Sequence, residues 1–355
     1  MKIRLILLSF WLAGTCLAEE VRMNQLQVIG THNSYHVAPA EAVLGVIGKM
    51  KAEWREALDY SHRPLPEQFE KLGIRQIELD VFADPQGGLY AKPRLGKIGG
   101  GFEDPGGVMK TAGMKVLHIQ DLDFRTTVLT FKEALAQVRD WSTKNPRHVP
   151  ILILVEVKDD RPSGLVTEPV RFDREQLEAL EAEILEVFGK GAIVLPDDVR
   201  GAAKTLREAV MKNGWPVLDS VRGKVMFALD NGARIRDAYL EGNPSLEGRL
   251  MFASVAENDP GAAFFKLNDP LGGFELIQRL VKSGFIVRTR ADAGTLEARE
   301  NKTDRREKAL ASGAQFVSTD YPEADERLGE YRVGFEGGAT VRRNPVSGKG
   351  VEVEE

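Results

Sequence analysis

Eight short apolar segments recur along this chain, and their number and spacing constrain the fold more than any other feature. They are "QLQVIG" (25–30), "IRQIELDVF" (74–82), "MKVLHI" (114–119), "VPILILVEV" (149–157), "KVMFAL" (224–229), "RLMFASV" (249–255), "FIVRT" (285–289) and "AQFVST" (314–319). Most are bounded by Gly, Pro or charged residues and are apolar on both faces, as buried parallel strands are. Helical patterns lie between several of them. Phe131 to Asn145 opens with a Thr130/Glu133 capping box and stops before Pro146. Asp173 to Phe188 carries Leu177, Leu180, Ile184 and Phe188 on one face and ends at Gly189. Thr205 and Glu208 form a second capping box, and Gly214 closes that helix. Residues 274–282 and 305–312 complete the set. Eight strands with intervening helices predict an α/β fold, a (β/α)8 TIM-type barrel. Its first half should be distorted, because the helix pattern is weak there.

Two long connections fill that first half. Residues 37–65 contain the apolar stretch "AVLGVIGKM" (42–50), and residues 84–113 hold nine glycines without periodicity. Both follow strands, so both should lie over the C-terminal mouth, where barrel active sites sit. The 42–50 stretch has two readings: a ridge that dips into a bilayer, or a short helix packed on the barrel. Residues 19–330 read as one catalytic barrel domain, followed by a strap and flexible tail over 331–355.

The first residues, "MKIRLILLSFWLAGTCLA", place Lys2 and Arg4 before an apolar run and end in small residues. Residues 1–18 thus read as a signal peptide cut after Ala18, which predicts a secreted or periplasmic protein. A lipoprotein signal at Cys16 is the rival, although Thr15 stands where such signals need Gly or Ala. Cys16 is the only cysteine, so the mature chain would hold neither disulfides nor thiolate metal sites. Losing Lys2 and Arg4 takes the formal net charge from −5 to −7. That balance argues against nucleic acid as a partner and against a polybasic membrane patch.

Polar residues cluster at the ends of the apolar segments. His32 and Asn33 follow the first, Glu78 and Asp80 end the second, and His118 ends the third. Glu156 and Lys158 end the fourth, Arg288 and Arg290 the seventh, and Asp320 the eighth. In a parallel barrel all these ends meet at one mouth. Glu78 and Asp80 are two apart and share a strand face. Side by side they repel unless a cation lies between them. Glu156 and the Asn33 side-chain oxygen could complete an oxygen cage for a hard cation, Ca²⁺ first and Mg²⁺ second. The rival for Glu78 and Asp80 is ion pairing with Arg75 or Lys115, and for Glu156 it is pairing with Lys158. His32 and His118 could share acid and base duty. Lys158, Arg288 and Arg290 would bind an anionic substrate and offset charge on a phosphoryl group. His36, His62 and His148 read as structural. These residues point to metal-assisted cleavage of a phosphodiester.

Together "THNSYH", "IELDVF", "HIQDLDF", "LILVEVK", "VRTRADA" and "SGAQFVSTDYP" resemble the bacterial calcium-dependent phosphatidylinositol-specific phospholipase C family, over residues 25–322. The resemblance implies that an inositol 2-hydroxyl attacks phosphorus, diacylglycerol leaves and a cyclic inositol phosphate forms. It implies His32 and His118 as the catalytic pair, and Asn33, Glu78, Asp80 and Glu156 as calcium ligands. It also implies a phospholipid or small phosphodiester substrate and transient contact with a membrane. Glycerophosphodiester phosphodiesterases share the wider motif order, but there the first His is followed by Arg rather than Asn. That activity, or another metal-dependent phosphoric diester hydrolysis, is the alternative. A non-catalytic Ca²⁺-dependent binding protein is a third.

Overall fold

The structure is a computed structural model that describes residues 20–355 except 99, 163, 165, 349–352 and 354. The signal segment 1–18 lies outside the described residues. Ten strands form one sheet: β1 (Leu26–Thr31), β2 (Gln76–Phe82), β3 (Lys115–Val116), β4 (Ile151–Val157) and β5 (Val225–Leu229) in the first half. In the second half come β6 (Met251–Ala253), β7 (Phe264–Lys266), β8 (Ile286–Arg290), β9 (Phe316–Thr319) and β10 (Val341–Arg343). Eight of them pair in parallel in the order β6-β5-β4-β2-β1-β9-β8-β7. A parallel bridge from Ser254 to Phe264 joins the two ends, so the barrel is nearly closed. The α/β barrel expected from the sequence is the fold observed.

One of the expected strands needs correction, and one barrel strand was not among those expected. The 114–119 segment is not a barrel strand. Only Lys115–Val116 is extended, and it pairs antiparallel with β2 through Val81↔Val116 and Phe82↔Lys115. The reason is topological. A parallel neighbour needs a crossover that carries the chain back to the other end of the sheet. Residues 84–113 supply only a single 3-10 turn, Val108–Lys110, so the chain returns antiparallel at the same end. Consequently β2 and β4 are direct neighbours, with Asp80 opposite Glu156. The eighth barrel strand is instead β7, three residues of "AAFFKLND", too short to stand out in the sequence.

The predicted helices form and cap as expected. Thr130 Oγ1 accepts from Glu133 N (3.2 Å) at the start of the helix Phe131–Lys144. Thr205 Oγ1 accepts from Glu208 N (3.0 Å) at the start of Leu206–Lys212. The strands alternate inward and outward. In β2, Ile77, Leu79 and Val81 join the main hydrophobic cluster, and Glu78 and Asp80 meet charged groups from other strands. At Gly30 a Cβ would lie 2.6 Å from Gln76 Cβ, so a side chain there would force β1 and β2 apart.

The first long connection forms two helices, Glu41–Met50 and Ala52–Ala57. Val43, Leu44 and Ile47 are buried against Leu58, Leu122 and Val166, so that face packs on the protein. The second connection folds back on Asp84, whose backbone oxygen accepts from Gly87 N (3.1 Å) and Gly113 N (2.9 Å). After β9 the chain crosses under the barrel, where β10 pairs antiparallel with β1. Among the described residues, no helix is long and apolar enough to cross a membrane.

Candidate active site

The turn after β1 is fixed to β2. Asn33 adopts φ 45°, a left-handed conformation that Asn tolerates better than most residues. His36 N donates to Asn33 O (2.8 Å) and closes the turn. Ser34 N donates to Glu78 O (2.9 Å), and Ser34 Oγ accepts from Glu78 N (2.8 Å). The first histidine and its asparagine are thereby locked to the strand that carries the carboxylates.

His32 and His118 both line a cavity of about 370 Å³ at the mouth, with Asn33, Lys158, Arg290 and Asp320. Trp54, Leu58, Phe82 and Ile119 form its apolar side. Each histidine is held by an aspartate. His32 Nδ1 lies 2.7 Å from Asp320 Oδ1, and His118 Nδ1 lies 2.7 Å from Asp123 Oδ2. A carboxylate accepts, so both Nδ1 atoms carry protons; His118 Nε2 is left free, and His32 Nε2 accepts from Arg290. Arg290 NH1 is 3.2 Å from His32 Nε2, and Arg290 NH2 donates to Asp320 Oδ2 (3.0 Å). Burial and the Arg290 charge push the His32 imidazole down to about 3, which keeps it neutral at physiological pH. Burial would raise the Asp320 carboxyl, but His32 and Arg290 outweigh it and hold Asp320 well below the usual range.

Beside His32 lies the acidic cluster. Glu78, Asp80 and Glu156 each place an oxygen within 4.8 Å of the others. Glu78 Oε1 is 3.6 Å from His32 Nε2, and Glu78 Oε2 accepts from Arg288 NH2 (2.5 Å). Lys158 Nζ is 3.3 Å from Asp80 Oδ2 and 3.2 Å from Glu156 Oε1. Burial pushes the Glu78 carboxyl up to about 7 against the pull of Arg288. It pushes Asp80 well above its ordinary range against the pull of Lys158, with Glu156 and Glu78 adding to the rise. The cluster holds three carboxylates and two cations, and is short of positive charge.

Three buried acceptor oxygens show what fits there. Asn33 Oδ1 and both carboxylate oxygens of Asp80 have no hydrogen-bond donor. A buried acceptor without a partner is costly, and a cation removes the cost. These oxygens, with Glu78 and Glu156 beside them, suit Ca²⁺, a hard cation that takes oxygen ligands. The donor set is all oxygen, three carboxylates and an amide with no sulfur, which suits a hard cation better than Zn²⁺.

The structure thus brings His32, Asn33, Glu78, Asp80, Glu156, Lys158, Arg290 and His118 to one mouth. Arg288 is there too, but beneath the floor: its side chain is 1% exposed and is held by Glu78 and Asn268 Oδ1 (2.6 Å). Lys158 sits among the carboxylates as well as on the cavity wall. The sequence reading missed Asp123 as a partner of His118 and named Asp320 only as a strand end. The signal for both was available: a charged residue next to a buried strand end needs a partner. His62 is structural, its Nε2 donating to His32 O (2.8 Å). His148 lies elsewhere, bound to Ser142 Oγ (2.7 Å).

Comparison with known proteins bears on the fold and the family. The family model described as phosphoinositide phospholipase C, Ca²⁺-dependent, matches residues 21–345. No curated protein matches. Among solved structures, the chain is similar to a calcium-dependent phosphoinositol-specific phospholipase C from a Pseudomonas species, apo form. Identity is 15%, coverage is 91% of this chain and 95% of that one, and the TM-score is 0.53. A myoinositol complex of the Pseudomonas enzyme matches with 15% identity, 91% and 96% coverage and TM-score 0.52. A Ca²⁺-dependent phosphatidylinositol-specific phospholipase C from Streptomyces antibioticus matches with 17% identity, 85% and 95% coverage and TM-score 0.52. At these identities the structures speak for the shared barrel, and the family match spans nearly the whole chain. The chain therefore belongs to the Ca²⁺-dependent phosphoinositide phospholipase C family and is a phospholipase C-like phosphoric diester hydrolase.

Proposed function

We propose that this is an exported phospholipase C that opens phosphatidylinositol by attack of the inositol 2-hydroxyl on its own phosphorus. The observation that carries the reading is the pair of aspartate-held histidines in one cavity, with an oxygen cage against the first. His32 Nε2 takes the hydroxyl proton as the O2–P bond forms. His118, entering the cycle as imidazolium with its Nδ1–H held by Asp123, gives its Nε2 proton to the glycerol oxygen as the P–O bond breaks. The products are diacylglycerol and a cyclic inositol phosphate. His32 starts neutral, as a base must, and drawing Arg290 off its Nε2 onto the substrate phosphate would raise its basicity toward the working pH; attack within one molecule removes the entropic cost of bringing reactants together. Arg290 and Lys158 sit where they can hold the phosphoryl oxygens. Asn33, Glu78, Asp80 and Glu156 would hold Ca²⁺, which supplies positive charge against the charge that develops on phosphorus-bound oxygen. A complex with myoinositol is known for the Pseudomonas relative, which supports an inositol headgroup here.

The test is a panel of substrates with Ca²⁺, Mg²⁺ or chelator. The expected outcome is diacylglycerol and cyclic inositol phosphate from phosphatidylinositol vesicles with Ca²⁺, and none with chelator. Release of glycerol 3-phosphate from a glycerophosphodiester, with phosphatidylinositol untouched, overturns the headgroup assignment.

Contact with the lipid surface belongs to the same proposal. The buried face of Glu41–Met50 cannot enter a bilayer, and Val46 is half-buried. Its end can: Met50 is 39% exposed, and Leu296 is 55% exposed. Both are close in sequence to cavity-lining residues, Met50 to Trp54 and Leu296 to Gly294. Met50→Asp with Leu296→Asp should weaken vesicle binding, because each charge opposes transfer to an apolar phase. Hydrolysis of a soluble phosphodiester should be unchanged. Equal vesicle binding by variant and parent removes these residues from the contact.

A further inference from the structure

His36 was read from the sequence as structural, yet its contacts set it apart from an ordinary core histidine. Its ring is fully buried and stacks on Tyr60 with centroids 4.4 Å apart. Its Nδ1 lies 3.0 Å from Tyr60 O, and its Nε2 lies 2.8 Å from Asp123 Oδ2. A carbonyl and a carboxylate both accept, so both ring nitrogens of His36 must donate. The same oxygen, Asp123 Oδ2, is 2.7 Å from His118 Nδ1. The His36 and His118 rings meet edge to face, with centroids 5.9 Å apart. Asp123 is itself fully buried, and its Oδ1 has no partner. One oxygen therefore receives both imidazoles.

We infer that His36 is a positioning residue for His118: it pins the Asp123 carboxylate from behind and offsets its charge, so that Asp123 holds the His118 Nδ1–H and turns Nε2 toward the cavity. Two consequences follow from charge and geometry. Asp123 cannot swing to present its other oxygen without breaking the His36 contact. A carboxylate already neutralised by His36 also holds the His118 proton less tightly than a lone carboxylate would, which suits a group that must release and regain a proton. Burial opposes charge on His36 while Asp123 favours it, and the net direction is upward from the ordinary histidine value. Tyr60, His62 and Asp320 are the other titratable groups around this ring, the first by stacking and the last through its charge.

The inference rests on His118 acting at the reacting centre, and its first test does not need turnover. ¹⁵N-histidine spectra of the mature chain should show His36 protonated on both nitrogens at neutral pH, and neutral His118 protonated on Nδ1. A singly protonated His36, or neutral His118 protonated on Nε2, overturns it. The second test uses two variants and the wild-type substrate. His36→Phe keeps the stacking on Tyr60 and removes the donor to Asp123. His36→Gln keeps a neutral donor. Because a positioned acid or base contributes about 10²–10⁴-fold, the Phe variant should lose about 10- to 100-fold in kcat with KM within about twofold. The Gln variant should regain most of that loss. A folded Phe variant with kcat within twofold of wild type overturns the inference. If neither variant folds, the ¹⁵N signature decides. Absence of turnover on phosphatidylinositol by the wild type, with the signature intact, counts against the substrate and not against His36.

Discussion

His32→Gln is expected to lower kcat on phosphatidylinositol by about 10³- to 10⁴-fold, the upper range for loss of a positioned acid or base. KM and Ca²⁺ affinity should change little. Gln keeps a donor toward Asp320 but has no nitrogen that can take a proton, so the geometry survives and the base does not. The structure makes this residue the more sensitive of the two histidines. Its Nδ1 is fixed by Asp320 and its Nε2 sits between Arg290 and Glu78. Asp320 is in turn held by Asp292, whose Oδ1 accepts from Asp320 N (2.9 Å) and which also accepts from Thr319 Oγ1. His118→Gln should show a different pattern. It should be as damaging with a glycerol leaving group and much less so with a nitrophenol, which departs without a proton. Equal losses for both variants on both leaving groups would reverse or remove the assigned roles. Retention of more than a tenth of kcat by His32→Gln would remove His32 from the chemistry.

The barrel was legible because seven of its eight strands lie in short segments rich in apolar and β-branched residues, as buried parallel strands do. β7 was not, since three residues carry too little pattern, and β3 was over-read because "MKVLHI" has the composition of a strand but no crossover before it. The residues at the mouth survived that error. His118 still reaches the cavity, because the antiparallel return delivers it to the same end of the sheet. The cage was also legible, through the two-residue spacing of Glu78 and Asp80. Its geometry improved on the reading: Glu156 faces Asp80 across adjacent strands rather than from two strands away. What single residues could not disclose was pairing. Asp123 and His36 are 87 positions apart, and only the fold shows that one carboxylate serves two rings.

Asp80→Asn should abolish most of the Ca²⁺ response, and its effect on stability separates a metal site from a structural ion-pair cluster. Asp80 is 0% exposed, neither of its oxygens has a hydrogen-bond donor, and Lys158 Nζ lies 3.3 Å from Oδ2. With Asp80 neutral, Glu78 and Glu156 are matched by Arg288 and Lys158, and the excess negative charge that attracts a cation is gone. Loss of even an outer partner of a metal ligand costs about 10- to 100-fold in affinity, so loss of this ligand should cost at least that much. Activity at fixed Ca²⁺ should fall with it and return in part at high Ca²⁺. The melting temperatures carry the decisive signs. Saturating Ca²⁺ at about 1,000 times its Kd would stabilise the wild type by about 4 kcal/mol. The variant should lose that increment. Without Ca²⁺ the variant should melt above the wild type, because a buried carboxylate short of partners has become a neutral amide. If Asp80 served a structural ion pair with Lys158 instead, the order would invert. The Ca²⁺-free variant would then melt below the wild type, since removing one partner of a buried pair leaves the other charge exposed to a low-dielectric interior.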